Sequence, residues 1–416
     1  MPTLTAWVDG RRVGEFTEQH QAEGSLFTFE YTPEATSRDL VSLTLVPHPS
    51  VRRFEMRTFP PPFDMILPEG ERRARIEAAR KILRTDPFSL LSYVGANPVN
   101  RVRFLPPGAA SDTAPPELPT PKEIASCAEG QALFRRLMQD LDLRQGIAGV
   151  QPKILGASRS AQASSREGTA KLSPELRQYR GSTHILKSST RQFPFLAVNE
   201  CVCLQVFHAA GLGIPKATLS ADGELLLIER FDLLPDGSHL GFEEAAALMG
   251  ETSQSKYQRD YGSLIESLSA FVQPESEAAL RRELTQALIL NWLLGNGDAH
   301  LKNFGVLNLD DLDVRPAPFY DCVSTLPYLP DDVPALALSF EWYSKAWWPR
   351  GKVEEFARTY GKLGDAETAR LIEACTDAVA KGIALLRRYG RDIRRFAELG
   401  REIAKLWNGR IAAFRA

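Results

Sequence analysis

The segment NWLLGNGDAHLKNF, residues 291–304, most constrains this chain, because a cluster of polar groups lies there between two apolar elements. Before the cluster, EAALRRELTQALILNWLLG is apolar on nearly every side, which predicts a helix inside a domain. The helical pattern ends at Gly295. An acid, a histidine, a lysine and an asparagine then follow within six residues, and FGVL after them is typical of a buried strand. The sequence therefore predicts a polar, functional loop held between two core elements.

Four regions follow one another along the chain. Residues 1–105 combine a predicted hairpin (LTAWV, the turn DG, RRVGEF), the predicted strands SLFTFEY and LVSLTLV, and the helix GERRARIEAARKIL, which indicates a small α+β unit. Residues 106–121 hold six prolines and are interpreted as a linker. Residues 122–235 are rich in strand patterns and contain a low-complexity stretch, 156–173, that we interpret as a mobile loop. Residues 236–416 are mostly helical in pattern.

Composition excludes several classes of protein. The 416 residues are 44% hydrophobic and 25% charged, which is typical of globular proteins with a sizeable core. A net charge of −2 argues against bulk electrostatic binding of nucleic acid. Five cysteines without C-x-x-C spacing favour reduced thiols over disulfides or a zinc site. The chain shows no signal-peptide pattern and no apolar run of membrane-spanning length, so we expect a cytoplasmic protein that does not enter a membrane.

The strongest chemical pattern joins three polar residues. Asp298 and Asn303 form the spacing D-x-x-x-x-N, and Asp321 in FYDCVST follows 18 residues after the asparagine. In phosphoryl transfer, an aspartate accepts the proton of the attacking hydroxyl and an asparagine five residues later turns back to a magnesium ion. Asp321 comes after a predicted hairpin, NLDDLDVRP, where a kinase has its second magnesium ligand. Each residue alone is equally compatible with a turn or helix cap.

A buried ion pair is predicted in the region before this loop. Lys187 lies in the strand-like run HILKS, and an inward lysine needs a partner. Glu200 shares an otherwise apolar face of the following predicted helix, where an unpaired carboxylate would be costly. Pairing Lys187 with Glu200 solves both problems and is also the arrangement that directs a lysine at nucleotide phosphates. A surface lysine and an edge glutamate are the alternative.

Three weaker signals surround these residues. GIAGVQPK, residues 146–153, offers two glycines and a lysine that suit phosphate binding, although a simple turn has the same composition. In LLLIERFD, the backbone at Glu229 and Phe231 lies where a kinase linker binds adenine. His300 is interpreted as a hydrogen-bonded structural side chain rather than a metal ligand, because no second His or Cys cluster accompanies it.

Taken in order, GIAGVQPK, HILKS, FPFLAVNE, IERFD, SKYQ, GNGDAHLKNFGVL and FYDCVS resemble the HipA-like serine/threonine kinases of bacterial toxin–antitoxin systems. The resemblance spans about residues 140–325. FDMILPEGERRARI and DPFSLLSYVG extend it to the N-terminal unit, where VGANPVNRVRF departs from the family's glycine-containing turn. The resemblance implies an α+β fold, in which a two-lobed protein-kinase-like domain with a strand-rich N-lobe and a helical C-lobe follows a small α+β N-terminal subdomain.

The resemblance also implies that the chain binds ATP and Mg²⁺. Asp298 would be the catalytic aspartate, Lys187 the phosphate-contacting lysine, and Asn303 and Asp321 the magnesium ligands. The remaining implied positions cover the phosphates, contact adenine or line the site, and they are Ala148, Gly149, Val150, Gln151, Lys153, Glu229, Phe231, Lys256, His300, Lys302 and Tyr320.

The implied function is that of a growth-inhibiting toxin that phosphorylates a cytosolic protein on serine or threonine. Family substrates include aminoacyl-tRNA synthetases, and the implied partner is a HipB-like helix-turn-helix antitoxin through which any contact with DNA would be made. Two alternatives remain open. NGDAH…N also resembles the catalytic loop of aminoglycoside-phosphotransferase-like enzymes, which phosphorylate small molecules but leave residues 1–105 unexplained. A different class is a non-catalytic antitoxin corepressor, against which the intact Asp298, Asn303, Asp321 and Lys187 argue.

Overall fold

The computed structural model describes residues 1–109, 115–139, 145–146, 151–158, 182–234, 238–329, 335–340 and 344–415. Three of the residues predicted to cover the phosphates, Ala148, Gly149 and Val150, lie outside the described residues, as does most of the predicted loop at 156–173. No helix of the described part is both long enough and apolar enough to cross a membrane.

The N-terminal subdomain is an antiparallel sheet covered by short helices. Its sheet has the order β4-β3-β2-β1-β6 within the described residues. The predicted first hairpin is confirmed, and Asp9 and Gly10 at its turn both have positive φ, 46° and 79°, as a two-residue hairpin turn requires. The elements are β1 (Thr3–Val8), β2 (Arg11–Gln21), β3 (Gly24–Tyr31), β4 (Arg53–Met56), α1 (Pro61–Asp64), α2 (Gly70–Arg80), α3 (Pro87–Val94), β5 (Asn97–Pro98) and β6 (Val102–Leu105).

The predicted strand LVSLTLV, residues 40–46, is wrong, because the structure has no strand there. Its alternating apolar residues face two different cores instead of one side of a sheet. Leu40 and Leu43 pack into the core of the kinase-like lobes, whereas Val41 and Leu45 pack into the core of the N-terminal subdomain. The segment therefore lies between the two cores and packs against both.

The N-lobe is built on a second five-stranded sheet, of order β11-β12-β10-β9-β7 in the described residues. The predicted strands KILG and HILKS form its centre, and Lys153 lies directly opposite Lys187 in their antiparallel register. The edge strand β7 falls inside the stretch interpreted as a linker. The elements are β7 (Glu117–Leu118), α4 (Pro121–Ala125), α5 (Gly130–Gln139), β8 (Gln145–Gly146), β9 (Lys153–Ser158), β10 (His184–Ser188), α6 (Leu196–Ala209), β11 (Ala217–Leu219) and β12 (Leu225–Glu229).

The C-lobe is mainly helical and carries a small sheet, β13-β14-β15, beside the polar loop. Its central helix, α9, is buried at every residue from 284 to 294, as its apolar pattern predicts. The helix ends at Gly295 with φ 67°, a left-handed conformation that glycine adopts without strain. The elements are β13 (Gly241–Glu244), α7 (Ala245–Leu248), α8 (Tyr261–Ser269), α9 (Pro274–Leu294), β14 (Gly305–Asn308), β15 (Val314–Pro316), β16 (Ala335–Phe340), β17 (Ser344–Ala346), α10 (Arg350–Thr359), α11 (Asp365–Asp392) and α12 (Ala397–Arg415).

Buried polar contacts fix the N-terminal subdomain to the C-lobe. The guanidinium of Arg101, 2% exposed, donates to Asn308 Oδ1 over 3.1 Å in the C-lobe. Glu243 of β13 accepts hydrogen bonds of 2.6 Å from the Ser42 hydroxyl and from the Leu43 N–H. Because buried hydrogen bonds are directional, these contacts hold the subdomain in one orientation against the cleft between the lobes.

Candidate active site

The polar loop after α9 presents the Asp298 side chain to solvent. The Asp298 N–H donates to Asn296 Oδ1 over 3.0 Å, and the preceding Gly297 N–H donates to Thr325 Oγ1 over 2.7 Å, which shapes the turn. The Asp298 side chain is 51% exposed, although the residues that follow it in the loop are buried. An external hydroxyl group can therefore reach this carboxylate.

Asn303 and Asp321 lie together, as the D-x-x-x-x-N pattern and the following acid predict. Asn303 Nδ2 donates to the Asp321 carbonyl oxygen over 3.4 Å. Asn303 Oδ1 is buried without a hydrogen-bond partner, and Asp321 has a φ of 51°, a strained conformation for an aspartate. An unpartnered amide oxygen, on a side chain bonded to the backbone of an aspartate, and the carboxylate of that aspartate match the all-oxygen ligand preference of Mg²⁺.

The predicted ion pair between Lys187 and Glu200 is present. Lys187 Nζ lies 2.5 Å from Glu200 Oε1 and contacts Asp321 Oδ1 on its other side. Burial alone lowers the pKa of the Lys187 ammonium, but the charges of Asp321 and Glu200 raise it above its ordinary value. For Asp321, burial raises the carboxyl pKa, yet the charges of Lys187 and Lys153 lower it well below its usual range. Both groups of this contact are therefore charged at neutral pH.

A second lysine faces the same carboxylate from the neighbouring strand. Lys153 lies across the sheet from Lys187, and burial lowers its pKa while the charge of Asp321 partly offsets that effect. Gln151, two residues before Lys153, donates through Nε2 to the Ser188 carbonyl oxygen over 3.2 Å, so its side-chain amide binds the end of strand β10. The two lysines concentrate positive charge on one side of Asp321.

A cleft of about 1100 Å³, open solvent included, extends from these lysines between the lobes. Glu229 and Phe231 line it, and the ring of Tyr320 lies 5.7 Å from that of Phe231. The Glu229 N–H is already bonded to the Lys216 carbonyl over 2.9 Å, which leaves its carbonyl oxygen as the group that could bind adenine. The N-terminal subdomain closes one wall of the cleft with Val41, Pro62, Met65, Ile66, Pro98 and Val99.

The two lysines predicted to face a nucleotide from the C-lobe, Lys256 and Lys302, are paired to a carboxylate of the N-terminal subdomain. Glu69 Oε1 lies 2.7 Å from Lys302 Nζ, and Glu69 Oε2 lies 2.9 Å from Lys256 Nζ. Lys302 also lies 3.4 Å from Glu244 Oε2. Neither lysine lines the cleft described above. Sequence reasoning missed Glu69, although its segment, LPEGER, belongs to one of the motifs that carry the resemblance.

His300 is buried, as a structural side chain would be, but the hydrogen bond predicted for its ring is not found at Nδ1. Its Nδ1 has no hydrogen-bond partner, and its Nε2 lies 4.0 Å from Asp298 Oδ1. Burial is the main reason that its pKa is lowered to about 4, so the imidazole is neutral at pH 7. Its ring packs edge-on against Tyr257, with the two centroids 4.9 Å apart.

Tyr257 is a further residue of the site that the sequence did not single out. Its hydroxyl donates to Asp298 Oδ1 over 2.5 Å, although only its neighbour Lys256 was predicted to face the site. The motif SKYQ contains both residues, so a signal was available.

The polar groups described above suit the transfer of an anionic group, such as a phosphoryl group, to a hydroxyl. An exposed carboxylate can take a proton, two oxygen donors can hold a hard cation, and two lysines can bind anionic oxygens. Lys153, Lys187 and Asp321 line a largely apolar cleft, which is the usual form of a ligand site.

Two family models match the chain. The HipA-like C-terminal domain matches residues 145–383, and the HipA N-terminal domain matches residues 4–105. Among curated proteins, the putative kinase Y4mE of Sinorhizobium fredii is 30% identical over 356 residues, which are 80% of each protein. The serine/threonine-protein kinase toxin HipA of Shewanella oneidensis is 23% identical over 282 residues, which are 63% of this chain and 62% of that protein.

Among solved structures, a chain of the complex of Shewanella oneidensis HipA, HipB and operator DNA has a similar fold. The TM-score is 0.71 at 19% identity, and the match covers 98% of this chain and 96% of that chain. This likeness confirms the predicted α+β fold.

Proposed function

The chain belongs to the HipA family, and from that premise we propose that it is an ATP- and magnesium-dependent serine/threonine protein kinase that acts as the toxin of a toxin–antitoxin pair. One observation carries the proposal: Lys187 forms the ion pair with Glu200 and also contacts Asp321, while the Asp298 side chain is exposed. Protein kinases need this lysine–glutamate pair and both aspartates in place for phosphoryl transfer.

Nucleotide binding is assigned to the cleft. Lys187 and Lys153 would bind phosphate oxygens, while the backbone at Glu229 and Phe231 would contact the base. The site fits magnesium, since Asn303 Oδ1 has no hydrogen-bond partner and lies next to Asp321. Bound magnesium would neutralise negative charge on the phosphates. Asn303 and Asp321 would hold the metal, and Lys187 would bind the nucleotide.

Asp298 is the proposed general base. Its side chain is accessible, so the hydroxyl of a serine or threonine in a protein substrate can donate to it. The carboxylate orients that hydroxyl and accepts its proton as the new oxygen–phosphorus bond forms and the bond between the γ-phosphoryl group of ATP and its bridging oxygen breaks, which releases ADP. His300 Nε2 lies 4.0 Å from Asp298 Oδ1, and burial lowers the pKa of His300 to about 4, so its imidazole is neutral at pH 7.

The proposed partner is a HipB-like antitoxin of the helix-turn-helix class, in the cytoplasm. The Shewanella oneidensis HipA was solved together with HipB and operator DNA, which supports this assignment. Because the net charge of this chain is −2, we propose that it contacts DNA only through the antitoxin.

Incubating the purified protein with ATP, magnesium and a dephosphorylated bacterial lysate, followed by phosphosite mapping, tests the proposal. We expect new phosphoserine or phosphothreonine on a few proteins, with an aminoacyl-tRNA synthetase as one candidate. Asp298→Ala should slow transfer by about 10²–10⁴-fold and still bind ATP. Asp313→Ala, an exposed carboxyl in the nearby hairpin, is the matched control.

The other outcomes separate the alternatives. Transfer to small molecules alone would indicate a metabolite kinase, and no transfer at all would indicate a non-catalytic corepressor. Near-normal transfer by Asp298→Ala would show that Asp298 is not the base.

A further inference from the structure

The carboxylate of Asp298 already accepts a hydrogen bond from another side chain of the protein. The Tyr257 hydroxyl donates to Asp298 Oδ1 over 2.5 Å. Tyr257 lies in the turn between α7 and α8, and the carbonyl of the residue before it accepts a hydrogen bond of 3.2 Å from the Leu301 N–H of the polar loop. The turn and the loop therefore hold the phenol against Asp298.

The tyrosine ring is held by contacts that do not involve its hydroxyl. Lys256 Nζ lies 5.5 Å and Lys345 Nζ 5.7 Å from the ring centroid, and the His300 ring packs edge-on at 4.9 Å. Lys345 Nζ also donates to the Tyr257 carbonyl oxygen over 3.0 Å. A phenylalanine at this position would keep the cation–π and edge contacts, so the hydroxyl can be removed without moving the ring.

The phenol remains a donor over the whole neutral range. Burial and the negative charge of Asp298 raise the pKa of Tyr257 above its ordinary value, so the hydroxyl stays protonated. A hydroxyl that donates to the catalytic aspartate is what the acceptor substrate supplies in phosphoryl transfer.

We propose that the Tyr257 hydroxyl occupies the acceptor subsite at Asp298, so that the substrate hydroxyl must displace it before phosphoryl transfer. Tyr257 is then a specificity-determining residue of the acceptor site. Only a substrate that binds tightly enough for its hydroxyl to replace the phenol at Asp298 can react. This inference rests on the proposed kinase function, because it assumes that Asp298 is the base. A charge-assisted hydrogen bond of this kind changes a binding equilibrium by about 10- to 100-fold, so the phenol should weaken binding of the acceptor hydroxyl by a factor in that range.

The variant Tyr257→Phe tests the inference in the full-length protein. Two acceptors are compared: water, as hydrolysis of ATP without added protein, and casein, as a general source of serine hydroxyls. We expect kcat/KM for casein to rise about 10-fold through a lower KM for casein, with KM for ATP unchanged, and ATP hydrolysis to rise in parallel. The matched control is Tyr93→Phe, which removes a hydroxyl that accepts from Arg80 over 2.9 Å under the same kind of cation–π contact.

Each contrary result has a definite meaning. If Tyr257→Phe leaves kcat/KM for casein unchanged, the acceptor does not compete with the phenol and the inference is wrong. If the variant is slower, the phenol positions Asp298 instead of excluding the acceptor, which also overturns the inference. A phosphoryl group that forms on Tyr257 of the wild-type protein at a rate independent of protein concentration would support it, since transfer within one molecule requires the hydroxyl in the acceptor site.

Failure of the proposed function is distinguishable from failure of the inference. A wild-type protein that transfers phosphate to no acceptor, casein and lysate included, removes the kinase proposal and the inference with it. An active wild type with an unaltered Tyr257→Phe variant removes the inference alone. The contact itself is measured without nucleotide from the ¹³Cζ resonance of labelled Tyr257, which should shift in Asp298→Asn. An unshifted resonance would overturn the inference.

Discussion

The substitution Glu69→Gln should weaken the attachment of the N-terminal subdomain to the C-lobe. Glu69, whose side chain is 12% exposed, lies 2.7 Å from Lys302 Nζ and 2.9 Å from Lys256 Nζ. Glutamine keeps the size and shape of the side chain and removes its charge. Lys302, 5% exposed, would be left with Glu244 at 3.4 Å as its remaining carboxylate partner, and breaking a buried ion pair on one side is strongly destabilising.

The expected magnitude follows from the pKa of Glu69. Burial alone would raise this pKa, but the charges of Lys302 and Lys256 lower it from 4.5 to about 2. At about 1.4 kcal/mol per unit of pKa, the folded state gains about 3 kcal/mol from the ionised carboxylate. Because the pKa is lower in the folded state than in the unfolded state, the gain is complete above pH 4.5 and is lost as the pH falls towards 2.

Urea unfolding followed by tryptophan fluorescence measures this effect. At pH 7 we expect the free energy of unfolding of Glu69→Gln to be about 3 kcal/mol below that of the wild type, with the difference shrinking below pH 4.5. The control Glu355→Gln breaks an ion pair with Lys352 in which both side chains are about half exposed, so its effect should be much smaller. A loss below about 1 kcal/mol, or one that does not depend on pH between 7 and 3, would refute the reasoning.

Two further predictions concern the nucleotide site. ATP with magnesium should raise the Tm of the protein by binding to its folded state, and Asp321→Asn should remove most of the magnesium-dependent part of that rise; a rise that is the same without magnesium would contradict the assigned ligands. The resemblance to HipA-like kinases implies that many family members carry a serine at the position of Gly146, whose phosphorylation adds about −1.5 to −2 charges and silences the enzyme. Gly146→Ser should therefore acquire a phosphosite on incubation with ATP and lose activity with time, and an unmodified, fully active variant would show that residue 146 does not cover the phosphates.

Local and medium-range features were predictable from the sequence. Asp9 and Gly10 specify their hairpin turn through the positive φ angles that the turn needs, independently of the rest of the chain. The Lys187–Glu200 pair was predictable because both residues carry charge within apolar patterns and lie only 13 positions apart. In both cases, the physical requirement and the residues that meet it lie in neighbouring elements.

Contacts between distant parts of the chain were not predictable in the same way. Glu69 is 187 residues from Lys256 and 233 from Lys302, and a glutamate at the start of a charged helix has no unusual local pattern. The segment at residues 40–46 alternates as a strand does, and only the presence of two cores on its two sides explains the alternation. Such features depend on how separate units dock, which a periodic pattern in one segment does not encode.

The same docking connects the N-terminal subdomain to the proposed base. Glu69 pairs with Lys256, the ammonium of Lys256 lies 5.5 Å from the Tyr257 ring, and the Tyr257 hydroxyl donates to Asp298. Neutralising Glu69 would free Lys256 and so loosen one side of the contact that holds the tyrosine ring. The N-terminal subdomain is therefore connected to the Asp298 carboxylate by a series of direct contacts between residues that do not line the cleft.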